Sequence, residues 1–217
     1  MPEPLSLVVM ISGRGSNLAH VITAAQSGRL NLRILGVISN RAEAGGLEHA
    51  RAAAIPTRVL PHTDFTDRGA FDAALAKAID HWHPELILMS GFMRMVTEQF
   101  ATRYGPRMIN QHPSLLPKYP GLHTYERVLR AGDREHGASV HFVTPDLDAG
   151  PVIAQIKIPV VPGDSPETLA DRLQVHEHRL LENVLGLFCE RRIEYADGVV
   201  LDGQRLNTPL QFEPAGT

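Results

Sequence analysis

Residues 5–17 read LSLVVMISGRGSN. An uncharged apolar run of strand length ends in two glycines set two positions apart, and a helix-period segment, NLAHVITAAQSG (17–28), follows. This strand, glycine turn and helix form the opening of a βα unit, and the pattern repeats downstream. LRILGVIS (32–39), TRVL (57–60) and ELILMS (85–90) read as further buried strands. GGLEHARAAA (45–54) and DRGAFDAALAKAIDHW (67–82) read as amphipathic helices between them, and Gly28 closes the first helix. The alternation predicts an α/β fold with a mostly parallel, doubly wound sheet covered on both faces.

After Met108 the texture changes. GASVHFV (137–143) and PVIAQIKIPV (151–160) read as longer, more alternating strands, and residues 165–190 as one long helix. Ser165 suits the N-cap and Pro166 the first helical position, whereas Thr168 is not expected to complete a capping box. The tail from Arg191 holds at most two short strands around the turns Asp197-Gly198 and Asp202-Gly203, then a polar stub. No repeat or low-complexity linker divides the 217 residues, which predict one domain.

The composition narrows the function classes. With 43% hydrophobic residues the chain can bury a large core. A formal charge of −3 and a pI near 6.4 supply no basic field for nucleic acid. One cysteine, Cys189, allows neither an intrachain disulfide nor a thiolate metal cage and suits a reducing compartment. The N-terminal apolar run has no basic region before it, and no segment has the length of a membrane span. The expectation is a soluble, cytoplasmic protein; its oligomeric state is not legible.

The SGRGSN loop (12–17) combines tight backbone turning with a helix N-terminus, which together can cradle an anion. A dinucleotide fingerprint would need Gly or Ala where Leu18 stands and an acid near Ser39, Asn40 and Arg41; an ATP loop would need a Lys-Ser/Thr pair. The loop therefore suits a phosphate monoester. The competing reading is a plain tight turn with Ser16 or Asn17 capping the helix.

A second polar constellation opens MINQHPSLLPKYPGLHTY (108–125), where Asn110 and His112 precede a loop stiffened by three prolines and a glycine. A histidine serving as general acid or oxyanion donor needs a carboxylate to lift its pKa above about 6.5. The candidate is Asp148 in TPDLDAGPV (144–152), with Asp146 two positions away; by alternation only one of them faces a site. Read alone, that segment is more often a solvated acidic turn. No metal is expected, because HEHRL (176–180) misses the second histidine of HExxH and His81–His83 lacks a third ligand. No GxSxG elbow occurs either.

NQHPSLLPKYPGLHT, GASVHFVTPDLDAGPVI, ISGRGSNL and SGFMRMV together resemble the phosphoribosylglycinamide formyltransferases, purine-biosynthesis enzymes that use 10-formyltetrahydrofolate. The likeness runs from about residue 6 to LDGQRL near residue 206. It implies a sheet of the formyltransferase type, with residues 1–100 as a phosphate-binding half, 101–190 as the catalytic and folate-binding half and 191–217 as a tail. It implies that Asn110, His112 and Asp148 are catalytic, and that Gly15, Ser16, Asn17 and Glu177 bind glycinamide ribonucleotide. Arg68, Met93, Arg94, Met95, Val96 and Asn110 would line the folate site. The small-molecule partners would be glycinamide ribonucleotide and 10-formyltetrahydrofolate, with no nucleic acid or membrane. Three alternatives stay open: a formyltetrahydrofolate hydrolase, a methionyl-tRNA formylase, and a non-catalytic phosphate-binding module.

Overall fold

The computed structural model describes residues 3–214. Its first half alternates strand and helix: β1 (Leu5–Ile11), α1 (Ser16–Gln26), β2 (Leu32–Ser39), α2 (Gly46–Ala52), β3 (Thr57–Val59), α3 (Arg68–Trp82), β4 (Leu86–Ser90), α4 (Glu98–Tyr104) and β5 (Met108–His112). The second half contains α5 (Thr124–Ala131), β6 (Glu135–Phe142), β7 (Val152–Pro159), α6 (Pro166–Cys189), β8 (Ile193–Tyr195), β9 (Val199–Leu201), β10 (Gln204–Arg205) and β11 (Leu210–Phe212).

Eight strands form one sheet in the order β11-β7-β6-β5-β4-β1-β2-β3. Strands β3, β2, β1, β4 and β5 are parallel, as the βα repeat predicts, while β6 is antiparallel to both β5 and β7. Successive side chains of β1 go to opposite faces. Leu7, Val9 and Ile11 join the core under α1, α2, α5 and α6; Val8 and Met10 join Phe71, Leu75 and Phe100 under α3 and α4. Two covered faces explain why β1 and β4 are apolar without a break.

Gly28, at φ 76, stands one residue beyond the Ser27 C-cap and lets the chain leave α1. Two expectations are corrected. Thr168 does complete the capping box: its hydroxyl accepts the Ser165 N–H at 2.8 Å while Ser165 Oγ accepts the Thr168 N–H at 3.2 Å. A hydroxyl one turn away reaches the N-cap as a longer Glu or Gln does.

Among the described residues the tail holds four strands rather than two. Asp197 and Asp202 both adopt positive φ before a glycine, turning β8, β9 and β10 into an antiparallel meander. β11 then docks parallel to β7, pairing Leu210 with Ala154 and Phe212 with Ile156. Segments of two or three residues are too short to show a period, and this last pairing joins positions 56 residues apart in the chain.

The parallel strands deliver Ser12, Ser90 and His112 to one edge of the sheet. Ligands of open α/β sheets occupy the crevice outside the carboxyl ends of such strands.

Candidate active site

Asn110 and His112 share one face of β5 because they are two residues apart. Antiparallel pairing sets His141 of β6 directly across from Asn110. His141 Nδ1 donates to the Phe142 carbonyl at 2.8 Å, and its Nε2 lies 3.2 Å from the Asn110 amide nitrogen and 3.6 Å from Asp148 Oδ1. The amide also donates to Asp148 Oδ1 at 3.4 Å. Asp148 Oδ2 accepts the Gly121 N–H at 2.8 Å and faces His112 Nδ1 at 3.4 Å. Asp148, at φ 50, turns its carboxylate inward by leaving the extended conformation, while Asp146 stays exposed; strand alternation is not what selects between them.

The charge states differ from the sequence-based expectation. Burial lowers the His112 pKa, and Asp148 and the Tyr119 carbonyl only partly oppose it. His112 is 6% exposed, and a carboxylate at 3.4 Å does not compensate for that desolvation. Burial also opposes ionisation of Asp148, yet His141, His112 and the Gly121 N–H hold its carboxyl below the ordinary range. His112 Nε2 is 2.9 Å from the Tyr119 carbonyl, so both ring nitrogens face protein acceptors.

A cleft opens beside this cluster, walled by Met89, Arg94, Met95, Val96, Asn110 and His141 and by the 143–148 segment. Of the residues assigned to a folate site, Arg94, Met95, Val96 and Asn110 line it. Met93 is 57% exposed outside it, Arg68 lies exposed at the start of α3, and His112 reaches it only through Asp148. Among the described residues no group of three or more His, Cys, Asp or Glu could hold a metal, and no helix is long and apolar enough to cross a membrane.

The glycine loop forms a separate corner. Gly15 is the N-cap of α1, at φ 76 and ψ 30, and no side chain caps the helix. Ser16 and Asn17 are already helical, so neither is the cap: Ser16 Oγ accepts the Gln174 amide at 3.0 Å, and Asn17 Oδ1 is buried without a partner. The first-turn N–H groups of α1 are thus free of a side-chain acceptor, as an anion site requires.

Glu177 stands half-buried on α6, near Tyr125, and its carbonyl accepts the Gln111 amide at 3.3 Å. Desolvation pushes its carboxyl up from 4.5 to about 7. An acid with a raised folded pKa contributes stability that is complete below about pH 4.5 and is lost as pH rises through about 7. Glu177→Gln, neutral at every pH, should therefore raise the thermal midpoint of the unliganded protein at pH 8 by several degrees and leave it unchanged at pH 4. Equal midpoint changes at both values would contradict a buried, titrating carboxyl.

Sequence reasoning missed His141 and the backbone of Tyr119 and Gly121. His141 lay in plain view within GASVHFV, but only the β5–β6 register shows that it meets Asn110.

Comparison with known proteins covers most of the chain. The model of a family described as formyl transferase matches residues 5–185. A phosphoribosylglycinamide formyltransferase of Escherichia coli (strain K12) is 45% identical over 203 residues, covering 93% of this chain and 96% of the relative. A solved phosphoribosylglycinamide formyltransferase from Coxiella burnetii superposes with a TM-score of 0.93 at 50% identity, over 97% of this chain and all of the other. Glycinamide ribonucleotide transformylase 1 from Symbiobacterium toebii gives 0.88 at 37% identity, covering 93% and 95% of the two chains.

Proposed function

The chain belongs to the formyl transferase family, and from that premise we propose the roles of its residues in the transfer. It moves the formyl group of 10-formyltetrahydrofolate to the amine of 5′-phosphoribosylglycinamide, a step of purine biosynthesis. The observation that carries the residue assignment is the position of Asp148, with one carboxylate oxygen toward Asn110 and the other toward His112, at the edge of the cleft.

The substrate amine attacks the formyl carbon, a new C–N bond forms, and negative charge gathers on the formyl oxygen. Asn110 meets that charge by releasing its long contact to Asp148 and turning the freed N–H to the oxygen. The growing negative charge adds to that of Asp148 and favours a protonated His112 at the step where the cation is useful. The imidazole gives up the Tyr119 carbonyl to reach the site. As the tetrahedral intermediate collapses, the bond to the folate nitrogen breaks and that nitrogen receives the proton the amine has lost.

The first turn of α1, with Gly15, Ser16 and Asn17, binds the substrate phosphate, and Glu177 binds the ribose or glycinamide end. Arg94, Met95 and Val96 hold the pterin side of the folate against soft apolar walls. Met93 and Arg68 stand outside the unliganded cleft and would contact only the outer part of the folate.

The test is product release from 10-formyl-5,8-dideazafolate with and without glycinamide ribonucleotide. Turnover is expected only when the ribonucleotide is present. Equal turnover in its absence would make the chain a hydrolase, and none under either condition would leave a binding module.

A further inference from the structure

Segment 91–97 joins β4 to α4 with no helix or strand of its own, so its backbone polar groups need partners from elsewhere. Its far end is held by Asp72, whose Oδ2 accepts the Thr97 N–H at 2.6 Å. Its near end is held by Ser12, the first residue of the glycine loop. The Ser12 N–H donates to the Gly91 carbonyl at 3.1 Å, and its Oγ accepts the Met93 N–H at 2.8 Å. The Ser12 hydroxyl donates in turn to Asn40 Oδ1 at 2.5 Å, and the Asn40 amide lies 3.3 Å from His62 Nδ1. Ser12 is 4% and Asn40 2% exposed, so water cannot replace either partner.

We propose that Ser12, oriented by Asn40, is a positioning residue for the folate loop, although its place in the sequence assigns it to the phosphate loop. The inference rests on the reading of Arg94, Met95 and Val96 as the folate wall. Asn40 fixes the hydroxyl rotor by accepting its hydrogen bond, which turns the Ser12 lone pairs toward Met93. The bond fixes the backbone one residue before Arg94, at the point where the chain leaves β4 for the cleft. Without Oγ, the Met93 N–H and Asn40 Oδ1 both lose their partner in a dry setting, and the near end of the segment keeps only the bond from the Ser12 N–H to the Gly91 carbonyl. The phosphate corner is untouched, because the Ser12 hydroxyl bonds to Asn40 and Met93 and Ser16 Oγ bonds to Gln174, with no hydrogen bond joining the two.

Calorimetric titration of the full chain tests this, with 10-formyl-5,8-dideazafolate and glycinamide ribonucleotide as separate ligands. Ser12→Ala should weaken binding of the folate analogue about tenfold and leave ribonucleotide affinity nearly unchanged. Asn40→Ala keeps the bond to Met93 but frees the hydroxyl; it should weaken the analogue alone, by a smaller factor, and decides the matter if Ser12→Ala does not fold. Unchanged analogue affinity, or equal losses for both ligands, would overturn the proposal. An unmodified chain that binds no analogue would overturn the reading of the cleft itself, an outcome seen before any variant is made.

Discussion

Asp148→Asn is expected to lower turnover by about 10²- to 10³-fold with the fold intact. The replacement is nearly isosteric, and its amide oxygen can still accept the Gly121 N–H that Asp148 receives at 2.8 Å. What it removes is charge. Burial already lowers the pKa of His112, and Asp148 is the main group acting against it, so the asparagine variant leaves the imidazole neutral when negative charge develops. His112→Ala should cost a similar factor, since it deletes the group that Asp148 serves. The two losses should not add, because residues acting as one unit show strongly non-additive kinetics. Turnover in the double variant close to that of either single variant is the expected result of a saturating-substrate assay. Near-normal turnover in either single variant would contradict the roles given to the pair.

The parts of this site that were legible in the sequence are those defined by local chemistry. Strands β1, β2 and β4 were visible because burial on both faces makes them largely apolar runs, and the glycine loop because a strand-to-helix turn requires its residue types; β5, with Asn110, Gln111 and His112, has no such run. Asp148 was a candidate partner for His112 from the histidine's need for a carboxylate, but likeness to a family was needed to prefer it to a solvated turn and to join it with Asn110, 38 residues away. His141 was overlooked because a histidine inside an alternating strand looks like any buried one until the register sets it against Asn110. The lowered His112 pKa was not legible at all. It depends on how completely the loop bearing Tyr119 covers the ring, a tertiary quantity that no spacing encodes. Ser12 shows the converse: its sequence neighbours point to phosphate, while its hydroxyl works for the opposite subsite.

Gly15→Ala is expected to raise the KM for the ribonucleotide by about ten- to a hundredfold, while binding of a folate analogue stays near normal. Two independent features of the position argue for this. At φ 76 a Cβ is strained wherever it points. Here it would also come to 2.5 Å from the Gly46 Cα, at the start of α2. That neighbour is backbone and cannot turn aside. Gly46 is itself anchored to the loop through its N–H to the Gly13 carbonyl at 3.1 Å, and a Cβ on Gly46 would strike Ile11 at 2.6 Å. The loop and the start of α2 therefore pack as two bare backbones, and an added methyl forces them apart. The displaced atoms are the Gly15 to Asn17 N–H groups that would point at the phosphate. Hydrogen bonds to a charged partner contribute about 1.5–3 kcal/mol each, so misaligning one or two accounts for the expected factor. Steady-state kinetics with each substrate varied in turn separates the outcomes. A rise confined to the ribonucleotide KM locates the phosphate at this corner, whereas equal rises for both substrates would mean that Gly15 only maintains the fold.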